Sequence, residues 1–314
     1  MMHGDGATRD SVPVGQAAPV PGPGHFLEHA MRLSGLARRF SLVRAYVSGG
    51  RSSVPLREFV THGLLRLPCT VIGPRYIESV HKEPDDLVVK FRDAATPLRW
   101  PREHALFDLH KVATETFDPG DWHFYEVPET TVRSGDTVLD CGAAEGIFAL
   151  RVLGRAGRIA LFEPLPSWAP VLRRTFEGHP EVEIVSVGLG DAEGRADLTD
   201  GVLRGAIVDA VGGSIPVTTV DRWVAQKGWR VDYIKADLEG FEHQMLQGAA
   251  ETIRRDRPKI AITVYHPGND WRWIVSFVGG LASGYRHRVK GISINGGVAR
   301  PVMLHLWPEQ PRDG

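Results

Sequence analysis

The chain has 314 residues, 42% hydrophobic and 24% charged, enough apolar material for a packed core and a composition that excludes wholesale disorder. Its 37 lysines and arginines nearly balance 38 aspartates and glutamates, for a net charge of −1, so no global field favours nucleic acid or an anionic membrane. Two cysteines, Cys69 and Cys141, are too few for a disulfide framework or a cysteine zinc cage, and the expected compartment is a reducing cytoplasm.

Residues 1–24 end in PVPGPG. They cannot bury enough side chain to offset their ordering entropy and are expected to form a disordered tail. They also lack the apolar core of a signal peptide, and no run anywhere reaches the roughly 18 apolar residues of a membrane span. From His25 to Ser48 the pattern becomes helical, with Phe26, Met31, Leu33, Leu36 and Phe40 at apolar positions. Arg32, Arg38, Arg39 and Arg44 stand there against one acid, Glu28. Such a run reads as the solvated face of a helical cap, with a lid for an anionic acceptor as the sharper alternative. TVIG from Thr70 and DLVVKF from Asp86 predict short strands. His104 and His110 follow without ligand spacing.

From Thr137 onward, apolar strands alternate with helical segments. TVLDCG, RIALFEP, VEIVSVGL, VDYIKAD and KIAITVY read as five strands. Helices are expected through EGIFALRVLGRAG, WAPVLRRTF, Gly240 to about Arg254, and WRWIVSFVGGL. YRHRVK and PVMLHLW read as two closing strands, and the glycine-rich stretch after the third strand as a hairpin excursion. This alternation specifies an α/β fold, a parallel sheet covered on both faces, with ligands at the carboxyl ends of its strands.

The first of these strands runs into Asp140-Cys141-Gly142-Ala143-Ala144-Glu145-Gly146. Gly142 and Gly146 permit a sharp turn and close backbone approach. Ala144 stands where a dinucleotide fingerprint places its middle glycine, and an acid before the turn would repel a pyrophosphate. The acid suits an ammonium or sulfonium group. Glu163, ending the next strand, can accept hydrogen bonds from both hydroxyls of a ribose. Together these acids point to S-adenosylmethionine rather than a nicotinamide.

VLDCGAAEG, FEPLPSW, VGLGDAEG, VTTVDRW, DYIKADLEGFEHQMLQGA and RPKIAITVYH make the chain resemble the FkbM-type family of S-adenosylmethionine-dependent methyltransferases. The resemblance runs from about Gly135 to Leu281. It implies a Rossmann-like class I methyltransferase sheet of seven strands, its final strand reversed, behind an N-terminal helical and mixed extension. It also implies methyl transfer, usually to a hydroxyl of a sugar, glycan or secondary metabolite. Domains are accordingly expected over 25–120, a cap that selects the acceptor, and 121–314, the methyltransferase domain. By the resemblance, Asp140, Gly142, Glu145 and Gly146 surround the methionine end of the cofactor and Glu163 holds the ribose. Gly188 to Asp191 line the adenine edge.

Asp237 and Glu239 end the fourth strand and His266 follows the fifth, so the three can converge on the transferred methyl. His266 is expected to act as general base oriented by Asp237 or Glu239. The alternative has Asp237, Glu239 and His266 hold a magnesium-like ion. Tyr125 and Glu126 are candidates to cover the site; His243, Trp271 and Trp273 are expected to be structural. N- or carboxyl-methylation, a nicotinamide-dependent oxidoreductase and a catalytically silent cofactor-binding scaffold are the competing functions. The expected partner is a small-molecule or glycan acceptor, with homo-oligomerisation left open.

Overall fold

A computed structural model describes residues 35–48, 54–199, 202–208, 215–295 and 298–309; the expected tail over 1–24 lies outside them. Helix α1 (Gly35–Ser48) and the short α2 (Cys69–Ile72) precede an antiparallel sheet of β1 (Ile77–Lys82), β2 (Asp86–Phe91) and β3 (Leu98–Pro101). Helix α3 (Leu106–Phe117) follows. The central sheet comprises β4 (Thr137–Cys141), β5 (Arg158–Phe162), β6 (Val182–Val185), β11 (Tyr233–Ala236), β12 (Lys259–Thr263), β13 (Tyr285–Lys290) and β16 (Met303–Pro308). Its order is β13-β16-β12-β11-β4-β5-β6. Only β16 runs antiparallel to its neighbours. That is the seven-stranded, reversed-strand architecture expected above.

The inner strands β4, β5, β11 and β12 are buried on both faces, as a parallel sheet covered by helices requires. Val138, Ile159, Leu161 and Tyr233 join one core cluster, while their strand neighbours Leu139, Ala160, Phe162 and Ile234 join another. The second cluster is closed by α6 (Val220–Lys227), α7 (Glu242–Gln247), α8 (Ala250–Asp256) and α9 (Trp271–Leu281). The first is closed by α4 (Ile147–Val152) together with β2, β3 and α3: Val89, Phe91, Trp100, Leu109 and Phe117 pack there. Helix α5 (Trp168–Thr175) reaches the same region, where Arg174 grips Asp86 with two bonds of 2.7 Å. The segment before residue 121 thus shares its core with the sheet.

Three expected elements differ. TVIG is helical, not extended. Val71 and Ile72 donate to the Pro68 carbonyl, Ile72 is buried, and a Cβ on Gly73 would lie 2.3 Å from the His110 carbonyl oxygen of α3. Close docking on a helix outweighs the strand preference of Thr-Val-Ile. The third strand stops at Val185, the last residue paired with β5. The chain then forms β7 (Gly188–Leu189) in a second sheet with β8 (Gly194–Thr199), β9 (Val202–Val208) and β10 (Ile215–Thr218), where β8 and β9 make the expected hairpin. The helix after Gly240 divides into α7 and α8. Asp221 of α6 causes the break: its carboxylate accepts the N–H groups of Glu251 and Thr252 at 2.9 and 2.7 Å, capping α8 separately. A small ribbon of β14 (Ser293–Asn295) and β15 (Val298–Arg300) precedes β16.

Candidate active site

The carboxyl ends of β4, β5, β11 and β12 meet in one place. Gly142 has φ of +79°, and a Cβ there would lie 2.0 Å from the Asp237 carbonyl oxygen, so the turns after β4 and β11 touch only because residue 142 is glycine. Ala144 and Glu239 have φ of +46° and +53°. Left-handed backbone is costly for residues with a Cβ, and strain of this kind gathers at functional sites. Both residues sit in these two turns.

Asp140 is fully buried and ion-pairs with Lys235 at 2.9 Å, its register partner on β11. Lys235 also donates to the Gly142 carbonyl and is 4% exposed. Burial pushes Asp140 up, and Lys235 only partly offsets this. Burial would lower Lys235, but the charges of Asp140, Asp237 and Glu145 hold it above the ordinary range. Sequence reasoning missed Lys235 as a site residue; the signal was a lone cation inside the apolar strand YIKA. Glu145 is buried, and burial raises it to about 7 against the pull of its own backbone N–H and Lys235. Glu163 accepts the Ala144 N–H on one oxygen and the Leu165 N–H on the other, both at 2.8 Å, so it holds the glycine turn itself. Burial pushes its carboxyl up, with those two N–H groups pulling it down.

A second cluster surrounds Asp237. Its Oδ2 accepts the Tyr125 hydroxyl at 2.9 Å and lies 3.7 Å from His123 Nε2. Its Oδ1 lies 3.9 Å from His266 Nε2 and 3.0 Å from the Thr263 hydroxyl, which also reaches Glu242 Oε1 at 3.1 Å. Burial would raise Asp237, yet His123, His266, Lys235 and the Tyr125 hydroxyl bring it down to about 2, so it is a carboxylate. Tyr125, buried, and Tyr265, half-buried, are phenols raised well above their ordinary value and stay neutral.

His266 meets acids at both ring nitrogens. Nδ1 faces Glu242 Oε1 at 2.8 Å, and Nε2 faces Glu239 Oε2 at 3.3 Å. Burial alone would lower its pKa, but the bond to Glu242 and the nearby carboxylates of Glu239 and Asp237 raise it to about 10. Acids at both ring nitrogens favour the imidazolium over the neutral ring that the expected general base requires. The expected orienting acid is also corrected, because the innermost partner is Glu242, fully buried, whereas the Glu239 side chain is 63% exposed. The sequence clue to Glu242 was an acid in the first turn of a helix directly after a strand end.

The expected metal set changes accordingly. Asp237, Glu242 and His266, not Glu239, present ligand atoms within 4.8 Å of one another. Glu242 Oε1 accepts the Leu238 N–H at 3.1 Å and Oε2 accepts the Asn269 amide at 2.6 Å. With those lone pairs engaged and both His266 nitrogens protonated, the residues hold a proton where a cation would need a donor. They do not fit a metal as arranged.

The other expected residues divide. Tyr125 reaches Asp237 with its hydroxyl. Glu126 does not: it is clamped by Arg151 at 2.8 Å and Arg155 at 2.9 Å and accepts the Val132 N–H. His243 accepts the Asp270 N–H and stacks on Trp273, and Trp271 and Trp273 pack against the second core cluster. Gly188 pairs with Val217 in the second sheet, and Asp191 is exposed beyond it. No hydrogen bond or ion pair among the described residues joins either of them to Glu163. From α3, Lys111 pairs with Glu115 at 3.6 Å, and its pKa is raised first by Glu115 and further by Asp237 and Glu239. A cavity of about 670 Å3 lies elsewhere, between Asp86, Arg102, Ser167 and Arg174, where Arg174 is paired with Asp86.

Residues 140–286 match the family described as Methyltransferase FkbM domain. Over that segment, a little under half of the chain, the protein is similar to FkbM methyltransferases. Methyltransferases of this family are S-adenosylmethionine-dependent, and the buried acids around the Gly142 cradle fit a cationic, ribose-bearing ligand. The match begins at Asp140, so it contains the glycine turn, Glu163, Asp237 and His266 and leaves out His123 and Tyr125. Among solved structures, the chain is similar to Methyltransferase FkbM from Methylobacillus flagellatus KT, at 19% identity and TM-score 0.43, covering 64% of this chain and 54% of that one. This chain thus spans about half the length of that protein. An rRNA methylase from Streptococcus thermophilus is similar at 13% identity and TM-score 0.38, covering 57% and 90%. A methyltransferase from Streptococcus mutans in complex with SAH is similar at 11% identity and TM-score 0.36, covering 56% and 90%. No curated protein matches the chain. No helix among the described residues is long and apolar enough to cross a membrane.

Proposed function

We propose that the protein transfers a methyl group from S-adenosylmethionine to a hydroxyl of a sugar, glycan or secondary metabolite. The observation that carries this reading is the Asp237 carboxylate, ringed by His123, Tyr125, Thr263 and His266 and touching the Gly142 turn. Asp140, Glu145 and Gly146 would hold the cationic end of the donor, Glu163 its ribose, and Gly188 to Asp191 its adenine edge. The donor supplies an electrophilic methyl on a sulfonium. A hydroxyl is hardly ionised at neutral pH, so the protein must orient it and take its proton. Asp237 offers a carboxylate beside the reacting oxygen, and the His266 imidazolium fixes Asp237 from the far side. A carboxylate acceptor would meet Asp237, Glu239 and Glu242 as like charges, which disfavours carboxyl methylation. An amine acceptor would be held at Asp237 as ammonium, without the lone pair that attacks. The N-terminal segment, whose Lys111 feels the charges of Asp237 and Glu239, would choose among acceptors.

The test is methyl transfer from labelled donor to methyl glucoside, glucosamine and myo-inositol, beside one carboxylic acid and one aromatic amine, read by product mass. Transfer to at least one polyol and to neither control is expected. Transfer to none overturns the reading and favours the silent scaffold; oxidation with a nicotinamide would favour the oxidoreductase. Activity is expected to survive EDTA, since the residues around His266 hold a proton rather than magnesium; loss of activity in chelator that magnesium restores would reverse that assignment.

A further inference from the structure

The proton of the acceptor hydroxyl needs a destination, and most side chains around Asp237 cannot provide one. Tyr125, Tyr265 and Thr263 bring hydroxyl donors. Lys235 is a cation tied to Asp140. His266 is pressed between Glu242 and Glu239 and carries both ring protons. His123 faces fewer acids than His266 does. It is buried, faces one carboxylate, and its Nδ1 has no hydrogen-bond partner. Its Nε2 stands 3.7 Å from Asp237 Oδ2, beyond hydrogen-bond length, so this nitrogen is not committed to that carboxylate. The remaining neighbours of the ring are the neutral phenols of Tyr125 and Tyr265, at 5.3 and 5.6 Å between centroids.

The backbone of His123 is anchored, as a reacting group requires. Its N–H donates to Asp121 Oδ1 at 2.7 Å, while Arg66 holds Asp121 Oδ2 at 2.8 Å and Lys290 donates to the Asp121 carbonyl at 3.0 Å. Two distant segments therefore fix a residue that lies outside the matched domain.

We infer that His123, supplied from outside the matched segment, is the catalytic base that takes the proton of the acceptor hydroxyl. This rests on the hydroxyl reading above. The O–H bond breaks with its proton passing to His123 Nε2, and the oxygen's electron pair forms the new C–O bond. The C–S bond breaks with its pair kept by sulfur, which becomes a neutral thioether. One positive charge leaves sulfur and one appears on His123, beside Asp237, which stabilises it.

Two measurements on the full chain test this. In the first, His123→Asn is compared with wild type on whichever of methyl glucoside, glucosamine or myo-inositol is methylated. A fall in kcat of roughly 10²–10⁴ is expected, with S-adenosylhomocysteine affinity within about twofold by calorimetry and a residual rate that climbs with pH as hydroxide replaces the base. His123→Gln serves if the asparagine variant misfolds. A kcat within about threefold of wild type overturns the inference. In the second, 15N-histidine NMR of the wild-type complex with S-adenosylhomocysteine at pH 8 should show one ring proton on His123 and two on His266. Two protons on His123 overturn it without reference to any acceptor. If wild type methylates no hydroxyl, the hydroxyl reading fails by itself, and the NMR result still decides whether His123 is available as a base.

Discussion

Lys235→Met tests the electrostatic frame of the site. Asp140 is 0% and Lys235 4% exposed, and the ion pair at 2.9 Å is the one cationic contact of that carboxylate among the described residues. Methionine matches the lysine stem in shape, so little packing is lost, but an unpaired carboxylate remains in the core. Breaking a buried pair from one side costs about 3–5 kcal/mol. At about 2–4 °C per kcal/mol for a chain of this order, the melting temperature should fall by about 6–20 °C at pH 8. The loss must depend on pH with a definite sign. Burial already raises Asp140, and removing Lys235 raises it further. A carboxyl whose folded-state pKa exceeds its unfolded one costs nothing below the unfolded value and destabilises increasingly as pH rises toward the folded value. The deficit should therefore be smaller at pH 5 than at pH 8. Adding Asp140→Asn to Lys235→Met should recover most of it, because the two residues act as one unit. Differential scanning calorimetry at the two pH values reads all of this. A shift below about 2 °C at pH 8, or a deficit that grows on acidification, would refute the reasoning.

Glu145 should make donor binding pH-dependent. With its carboxyl raised to about 7, it is mostly protonated at pH 6 and a carboxylate at pH 8, so calorimetry should show affinity rising over that window by up to about tenfold, and Glu145→Gln should flatten the trend. Glu163→Ala removes the acceptor for two backbone N–H groups, so donor affinity and thermal stability should both drop, by about 1–3 kcal/mol; unchanged affinity would remove Glu163 from the ribose site. A chain beginning at residue 121 strips β2, β3 and α3 from the first core cluster, and should expose enough apolar surface to bind a hydrophobic dye and aggregate rather than fold; a monomeric, cooperatively melting product would show that the sheet stands alone.

Much of the scaffold was legible residue by residue. Val138 and Leu139, or Ile159 and Ala160, alternate between two buried faces, and a short apolar run bounded by a glycine turn admits few readings other than a covered parallel strand. Chain order then places Asp140, Glu163, Asp237 and His266 at neighbouring strand ends, because the carboxyl ends of parallel strands share one side of the sheet. What each group does there was not legible. Proton occupancy at His266 depends on Glu242, 24 residues away in sequence and reached through a helix whose first turn happens to face the ring. His123 and Tyr125 belong to an irregular segment whose local pattern carries no periodic signal, and they meet Asp237 only because the anchors on Asp121 fold that segment over the cleft. TVIG becomes helical for the same kind of reason, since docking against His110 of α3 is a contact between distant parts of the chain. Periodicity records which face of an element is buried, and that is local information. The charge state of a buried acid or imidazole is set by whatever the rest of the fold brings within a few ångströms, and that is decided only in three dimensions.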